Sequence, residues 1–190
     1  MKNILLTYLQ RFGSLSEEDQ EIILEAFRQE TVREGDYLFE GGHVCKEMFF
    51  VCRGVLKIVM VREQGERVVH YFLKQNQFCT ILQSFKQGVV AEEHIQAACD
   101  GDVLRITKAE LQKLYEKIPY LEGRIEHIIQ QGLLDKVKLR NLYLGHPSLE
   151  RYALFMEHQA DIARQVSLAD VAAYLGVTQQ SLSRIRRNFK

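Results

Sequence analysis

Val166-Ser167-Leu168-Ala169-Asp170-Val171-Ala172-Ala173-Tyr174-Leu175-Gly176-Val177-Thr178-Gln179-Gln180-Ser181-Leu182-Ser183-Arg184-Ile185-Arg186-Arg187 is the stretch on which the reading of this chain turns. Ser167 suits the cap of a first helix that carries Leu168, Val171, Ala172 and Leu175 inward. Gly176 ends that helix, because glycine tolerates the left-handed backbone of a tight turn. Val177 fills the turn, Thr178 caps a second helix, and Leu182 and Ile185 point inward from it. Small Ala172 lets the two helices approach closely. The second helix then presents Gln179, Gln180 and Ser183 outward near its start, with Arg184 one turn on. Glutamine pairs bidentately with adenine and arginine with guanine in the major groove, so these four residues are the candidate base readers. Arg186, Arg187 and Lys190 lie where phosphates would run, and Thr178 and Ser181 carry hydroxyls able to donate to phosphate. A helical pair with a merely solvated face requires neither this cap-glycine-cap punctuation nor the basic outward surface. The pattern predicts a helix-turn-helix that reads DNA.

The charge distribution agrees with that placement. The chain has 190 residues and a formal net charge of zero, with 25 basic and 25 acidic side chains. Residues 138–190 hold eight Lys and Arg against four Asp and Glu, so the basic end is the one that would meet a polyanion. Upstream, Gly145-His146-Pro147 marks a boundary, and Ser148 is read as the cap of a helix to about Gln159. Before it, Tyr120–Leu144 reads as one helix of about 37 Å. Leu121, Ile125 and Ile128 form one apolar line on it, and Ile129, Leu133 and Val137 a second. A helix apolar on two sides must bury both, so a second copy across a two-fold axis is expected. Leu121, Ile125 and Ile128 are the expected dimer residues, with Gly132 a point of close helix approach. The competing reading packs both stripes inside one chain.

The first half has another texture. Ser16 with Glu17, Glu18 and Asp19 looks like a cap and acidic first turn, followed by Ile22, Ile23, Ala26 and Phe27 on one face. Then Met48–Val51, Val55–Val61, Val68–Leu73, His94–Cys99 and Val103–Ile106 read as short strands separated by glycine turns. Such spacing means a small antiparallel barrel or sandwich. Lys108–Glu116 reads as a short helix that breaks near Pro119. With 46% apolar and 26% charged residues, and with no apolar run of membrane length, the composition is that of a globular protein without a membrane partner. The N-terminal decapeptide is too polar for a signal peptide, and Cys45, Cys52, Cys79 and Cys99 lack metal-type spacing. Reduced thiols and a cytoplasmic location are expected. No nucleophile–base pattern, phosphate loop or metal spacing suggests an enzyme.

Taken together, the chain resembles the Crp/Fnr family of bacterial regulators. The stretches that carry the resemblance are Phe39-Glu40-Gly41-Gly42-His43-Val44-Cys45-Lys46-Glu47-Met48-Phe49-Phe50-Val51-Cys52-Arg53-Gly54 and Leu175–Arg186. The resemblance implies an α+β architecture. An antiparallel β-roll of the cyclic-nucleotide-binding, jelly-roll type with flanking helices would span residues 1–118. A dimerisation helix would span 119–144 and a winged helix-turn-helix 145–190. It implies a homodimeric transcription regulator on a palindromic site in double-stranded DNA, with RNA polymerase as a partner. Base contacts in the family match Gln179, Gln180 and Arg184 here.

The same resemblance bears on the effector. Family members that bind cAMP place Gly-Glu after a strand and Arg-Ser or Arg-Thr about ten residues on. Aligned on Gly88, this sequence has Thr80-Ile81 and Ala91-Glu92 at those places. Glu92 and Glu93 would set negative charge beside a phosphate, so cAMP binding is not expected. An iron–sulfur cluster is not expected either, since no cysteines cluster near the N-terminus. Haem would need axial ligands such as His43, His70, Cys79 or His94, which are isolated in the sequence. No cofactor is therefore expected, and the effector, if one exists, has Thr80, Ile81, Ala91 and Glu92 as its candidate pocket. The alternative function is a ligand-sensing or protein-interaction β-roll whose C-terminal helices do not read DNA. The basic outward face of Arg184, Arg186 and Arg187 argues against it.

Overall fold

In the computed structural model, which describes residues 1–62 and 65–188, two helices lead into the strands. They are α1 (Lys2–Gln10) and α2 (Glu17–Ala26). The strands are β1 (Arg28–Val32), β2 (Tyr37–Phe39), β3 (His43–Val44), β4 (Glu47–Arg53), β5 (Val55–Val61), β6 (Arg67–Lys74) and β7 (Phe78–Cys79). The short helix α3 (Leu82–Gln87) follows, then β8 (Val90–Ala91), β9 (His94–Ala97) and β10 (Gly101–Thr107). The rest is helical: α4 (Lys108–Lys117), α5 (Pro119–Tyr143), α6 (Ser148–His158), the single turn α7 (Ala160–Ala163), α8 (Leu168–Leu175) and α9 (Gln179–Asn188).

The strands form two antiparallel sheets, ordered β1-β10-β4-β7 and β2-β9-β5-β6, closed by the small β3-β8 pair. Alternate side chains of one strand feed different cores, as the two-residue period of a strand requires. On β4, Phe49 and Val51 enter the roll interior with Leu73, Ile81 and Ile95, whereas Met48, Phe50 and Cys52 join the helices. On β5, Leu56 and Ile58 point into the roll, whereas Val55 and Val59 meet the C-terminal helices. Both strands are buried on two faces, which is why they read as continuous apolar runs. The β4–β5 turn depends on Gly54, whose φ is 86° and where a Cβ would lie 2.8 Å from the Asp100 carbonyl oxygen.

Helix starts follow the sequence closely. The Ser16 hydroxyl accepts from the Asp19 amide at 3.0 Å. Thr107 and Glu110 close a reciprocal capping box at the start of α4. Ser148 is a correction: it is the first helical residue of α6, and Pro147 occupies the cap position without a side-chain bond. Proline's fixed φ suits it to a helix start, so the serine hydroxyl is not needed there.

The long helix corrects the expected dimer seam. Leu121, Ile125 and Ile128 are 0, 1 and 5% exposed and lie in a core with Leu5, Leu9, Ile23 and Phe50 of the same chain. The first helix, α1, which the sequence reading weighed only as a signal peptide, covers this stripe with Leu5 and Leu9. Gly132 meets nothing within 4 Å of where its Cβ would stand. Of the second stripe, Ile129 packs against the same core, whereas Leu133 and Val137 stay open at 37 and 51% exposed, with Leu134 beside them at 52%.

The wing is the other departure. Among the described residues no strand follows β10, and residues 159–167 between α6 and α8 are taken up by the single turn α7 and its flanks. A helical turn thus stands where a hairpin would have been needed. The helices pack instead on the outer face of β5 and β6, through Tyr152, Phe155, Val171 and Leu175 against Val55, Val59, Val69 and Phe72.

Candidate nucleic-acid interface

The local sequence builds α8 and α9 as a capped pair. The Ser167 hydroxyl accepts from the Asp170 amide at 3.1 Å and donates to the Asp170 carboxylate at 2.9 Å. Gly176 ends α8 at φ 64°, ψ 40°, and the Val177 amide donates to the Ala172 carbonyl at 3.0 Å. That reversal aims the next residues into a second helix. There Thr178 accepts from the Ser181 amide at 3.1 Å and donates to the Ser181 hydroxyl at 2.9 Å. Val171, Ala172, Leu175 and Leu182 are buried between the helices, with Ile185 partly so.

Helical periodicity then sorts the outward residues. Gln179, Gln180, Ser183, Arg184 and Arg187 are exposed, and together with Thr178 and Leu168 they line one shallow surface depression. Two expected phosphate contacts stand off this surface. Ser181 is held by the Thr178 cap, and Arg186 follows the buried Leu182 by four residues on the other flank of α9. Lys190 lies outside the described residues. The first turn of α9 carries no acidic side chain, so the positive end of its dipole is unopposed. The surface thus combines amide side chains, a hydroxyl and two guanidinium groups on a rigid helix. That is the chemistry that base edges and phosphates select.

The expected effector residues are placed differently from one another. Thr80 donates its hydroxyl to the Glu47 carbonyl at 2.8 Å. Ile81 and Ala91 are buried among the roll's apolar side chains, and Glu92 is exposed. These residues bring no cation together. Of the residues that a haem, not expected here, would have needed as axial ligands, His94 accepts from the Gly41 amide at 3.2 Å. Cys79 is enclosed in the roll, where burial pushes its thiol up to about 12.

Sequence reasoning missed the contacts that hold the helices to the roll. Lys57 of β5 and Asp170 of α8 form a buried ion pair at 2.6 Å, and Lys74 and Asp161 a half-exposed one at 2.5 Å. The lone lysine inside the apolar run of β5 was the available signal.

Residues 29–118, which hold every strand except the first position of β1, match the family model of the cyclic nucleotide-binding domain. Around the cyclic nucleotide-binding domain, the whole chain has the fold of Crp/Fnr regulators. The c-di-GMP-responsive global regulator CLP of Xanthomonas campestris is 14% identical, with 91% of each chain covered and a TM-score of 0.73. A Crp/Fnr-family protein of Eubacterium rectale is 17% identical over 96% of this chain and 87% of that one, also with a TM-score of 0.73. FixK2 of Bradyrhizobium japonicum is 18% identical over 85% and 83%, with a TM-score of 0.70. Comparison with curated sequences finds no match. Among the described residues no helix is long and apolar enough to cross a membrane.

Proposed function

We propose that this protein is a sequence-specific, DNA-binding transcription regulator that acts as a homodimer. The observation that carries the reading is the single exposed face of α9, where Gln179, Gln180, Ser183, Arg184 and Arg187 stand together behind a capped turn. Docking of α8 on the roll leaves that face open to solvent. Two copies pair through the open stripe of Leu133, Leu134 and Val137, which supplies the apolar surface that the buried stripe cannot. The paired α9 helices enter successive major grooves about 34 Å apart on a palindromic site. Gln179, Gln180 and Arg184 read bases, and Arg187 anchors phosphate. RNA polymerase is the partner through which such a regulator acts.

In this reading the β-roll does not bind cAMP. Thr80, Ile81, Ala91 and Glu92 offer a cyclic phosphate no cation, and Phe49, Leu73, Ile81 and Ile95 fill the interior. No haem or iron–sulfur cluster and no enzymatic step is included. Selection from random double-stranded DNA, with and without cAMP, tests the proposal. A palindromic motif recovered without ligand is expected. Enrichment only with cAMP would overturn the effector reading, and enrichment in neither condition would overturn ligand-independent DNA recognition.

A further inference from the structure

The reading surface of α9 is bordered by an aliphatic side chain that comes from the other helix of the pair. Leu168, the first residue of α8, lines the same shallow depression as Gln180, Ser183, Arg184 and Arg187. Those four recur at helical spacing and form one stripe along α9, with Leu168 beside it. Leu168 is half-buried. Part of it packs on the core shared by the C-terminal helices and the outer face of the roll, and the rest faces the depression. The backbone that carries it is anchored. Ser167 caps α8 on the Asp170 amide at 3.1 Å, and Lys57 of β5 holds the Asp170 carboxylate at 2.6 Å.

Thr178 extends the apolar character. Its hydroxyl accepts from the Ser181 amide and donates its proton to the Ser181 hydroxyl at 2.9 Å. The cap thus takes up the hydroxyl, and the methyl is what Thr178 can offer to the depression it also lines. The other described lining residues are two glutamines, a serine and two arginines, all with hydrogen-bonding groups and none acidic. An apolar spot in such a surface offers nothing to a phosphate, because neither Leu168 nor a methyl group can donate a hydrogen bond. Its natural complement in the major groove is the C5 methyl of thymine, which leucine and threonine methyl groups can cover.

We propose that Leu168 and the Thr178 methyl read a thymine through its C5 methyl, beside the base pairs read by Gln180 and Arg184. This rests on the DNA-reading proposal and narrows it: each half-site carries a thymine at one fixed position, recognised jointly by both helices of the motif. Leu168 is then a specificity residue supplied by α8, the helix that otherwise seats the motif on the roll.

The test is competition binding of the full chain to its selected palindrome and to copies in which one thymine at a time, in both half-sites, is replaced by deoxyuridine. That replacement keeps the pairing edge and removes only the methyl. At one position it should weaken binding by about tenfold, the value of one buried methyl in each half-site. Leu168→Ala should bind the thymine site more weakly and no longer distinguish the two sites. Thr178→Ser should lessen the discrimination, and Leu168→Met should retain it. Thr178→Ser keeps the capping hydroxyl and Leu168→Met keeps the apolar volume, so both stay folded even if Leu168→Ala disturbs the core. A selected site without thymine, or deoxyuridine copies bound as tightly as the parent site, would overturn the inference and leave DNA reading in place. Undiminished discrimination in Leu168→Ala and Thr178→Ser would do the same. Failure to select any double-stranded site would overturn both.

Discussion

Lys57 on β5 and Asp170 on α8 meet at 2.6 Å in a site where they are only 4 and 7% exposed. The pair is separated by 113 residues and ties the strand core to the helix-turn-helix. Asp170 is fixed twice more, because Ser167 both donates to its carboxylate and accepts from its amide. A single side chain therefore links the start of the reading unit to its seat on the roll.

Removing one partner leaves the other charge buried alone. Asp170→Ala or Lys57→Met should each destabilise the protein by about 3–5 kcal/mol. The double replacement Lys57→Met with Asp170→Leu should recover most of that loss. Denaturant unfolding of the three variants measures it. If the two single losses simply add in the double variant, the ion pair is not what the site depends on.

The two stripes of α5 should respond differently to charge. Ile125→Asp puts a carboxylate into the helical core and should unfold the chain, at a cost of several kcal/mol. Val137→Asp, at an exposed position, should leave the thermal transition of the monomer intact and shift sedimentation from dimer to monomer. A dimer that survives Val137→Asp together with Leu133→Asp would place the interface elsewhere.

Gly176 has φ 64°, and its Cβ position is 3.6 Å from the Arg151 guanidinium, ordinary contact distance. Space is thus available and only the backbone objects. Gly176→Ala should cost about 1 kcal/mol, seen as a lower unfolding midpoint with unchanged far-ultraviolet dichroism.

Arg184→Ala should lower affinity by about 1–3 kcal/mol per half-site and relax base choice at one position. Competition binding against single-base variants of the selected site reads both effects. Uniform weakening across all sequences would assign Arg184 to phosphate.

Burial lowers the pKa of His70, and Arg140 and Arg62 act in the same direction against Glu93. The unfolded chain therefore binds this proton more readily than the folded one, and stability falls as pH drops below the free-histidine value of about 6.5. His70→Gln should flatten that part of the melting temperature profile between about pH 7 and pH 5. An unchanged slope would mean that other groups carry the acid sensitivity.

Periodicity, caps and turn residues determined a good deal of this protein from the sequence. The strands around Met48–Val51, Val55–Val61 and Val68–Leu73, the long helix and the Ser167–Gly176–Thr178 punctuation all depend on neighbours close in the chain. Local backbone preference and side-chain alternation set these features wherever the segment is packed. The outward face of α9 was legible for the same reason, since helical spacing alone puts Gln180, Ser183, Arg184 and Arg187 together.

Tertiary structure decided what each apolar or charged face meets. The sequence shows two stripes on α5, yet only the packing of α1 and α2 decides that Leu121, Ile125 and Ile128 are spent inside the chain. Lys57 reads as an interruption in a strand until Asp170 arrives from far along the chain. The physical reason is that burial and charge pairing depend on distance in space, whereas a sequence pattern records only distance along the chain.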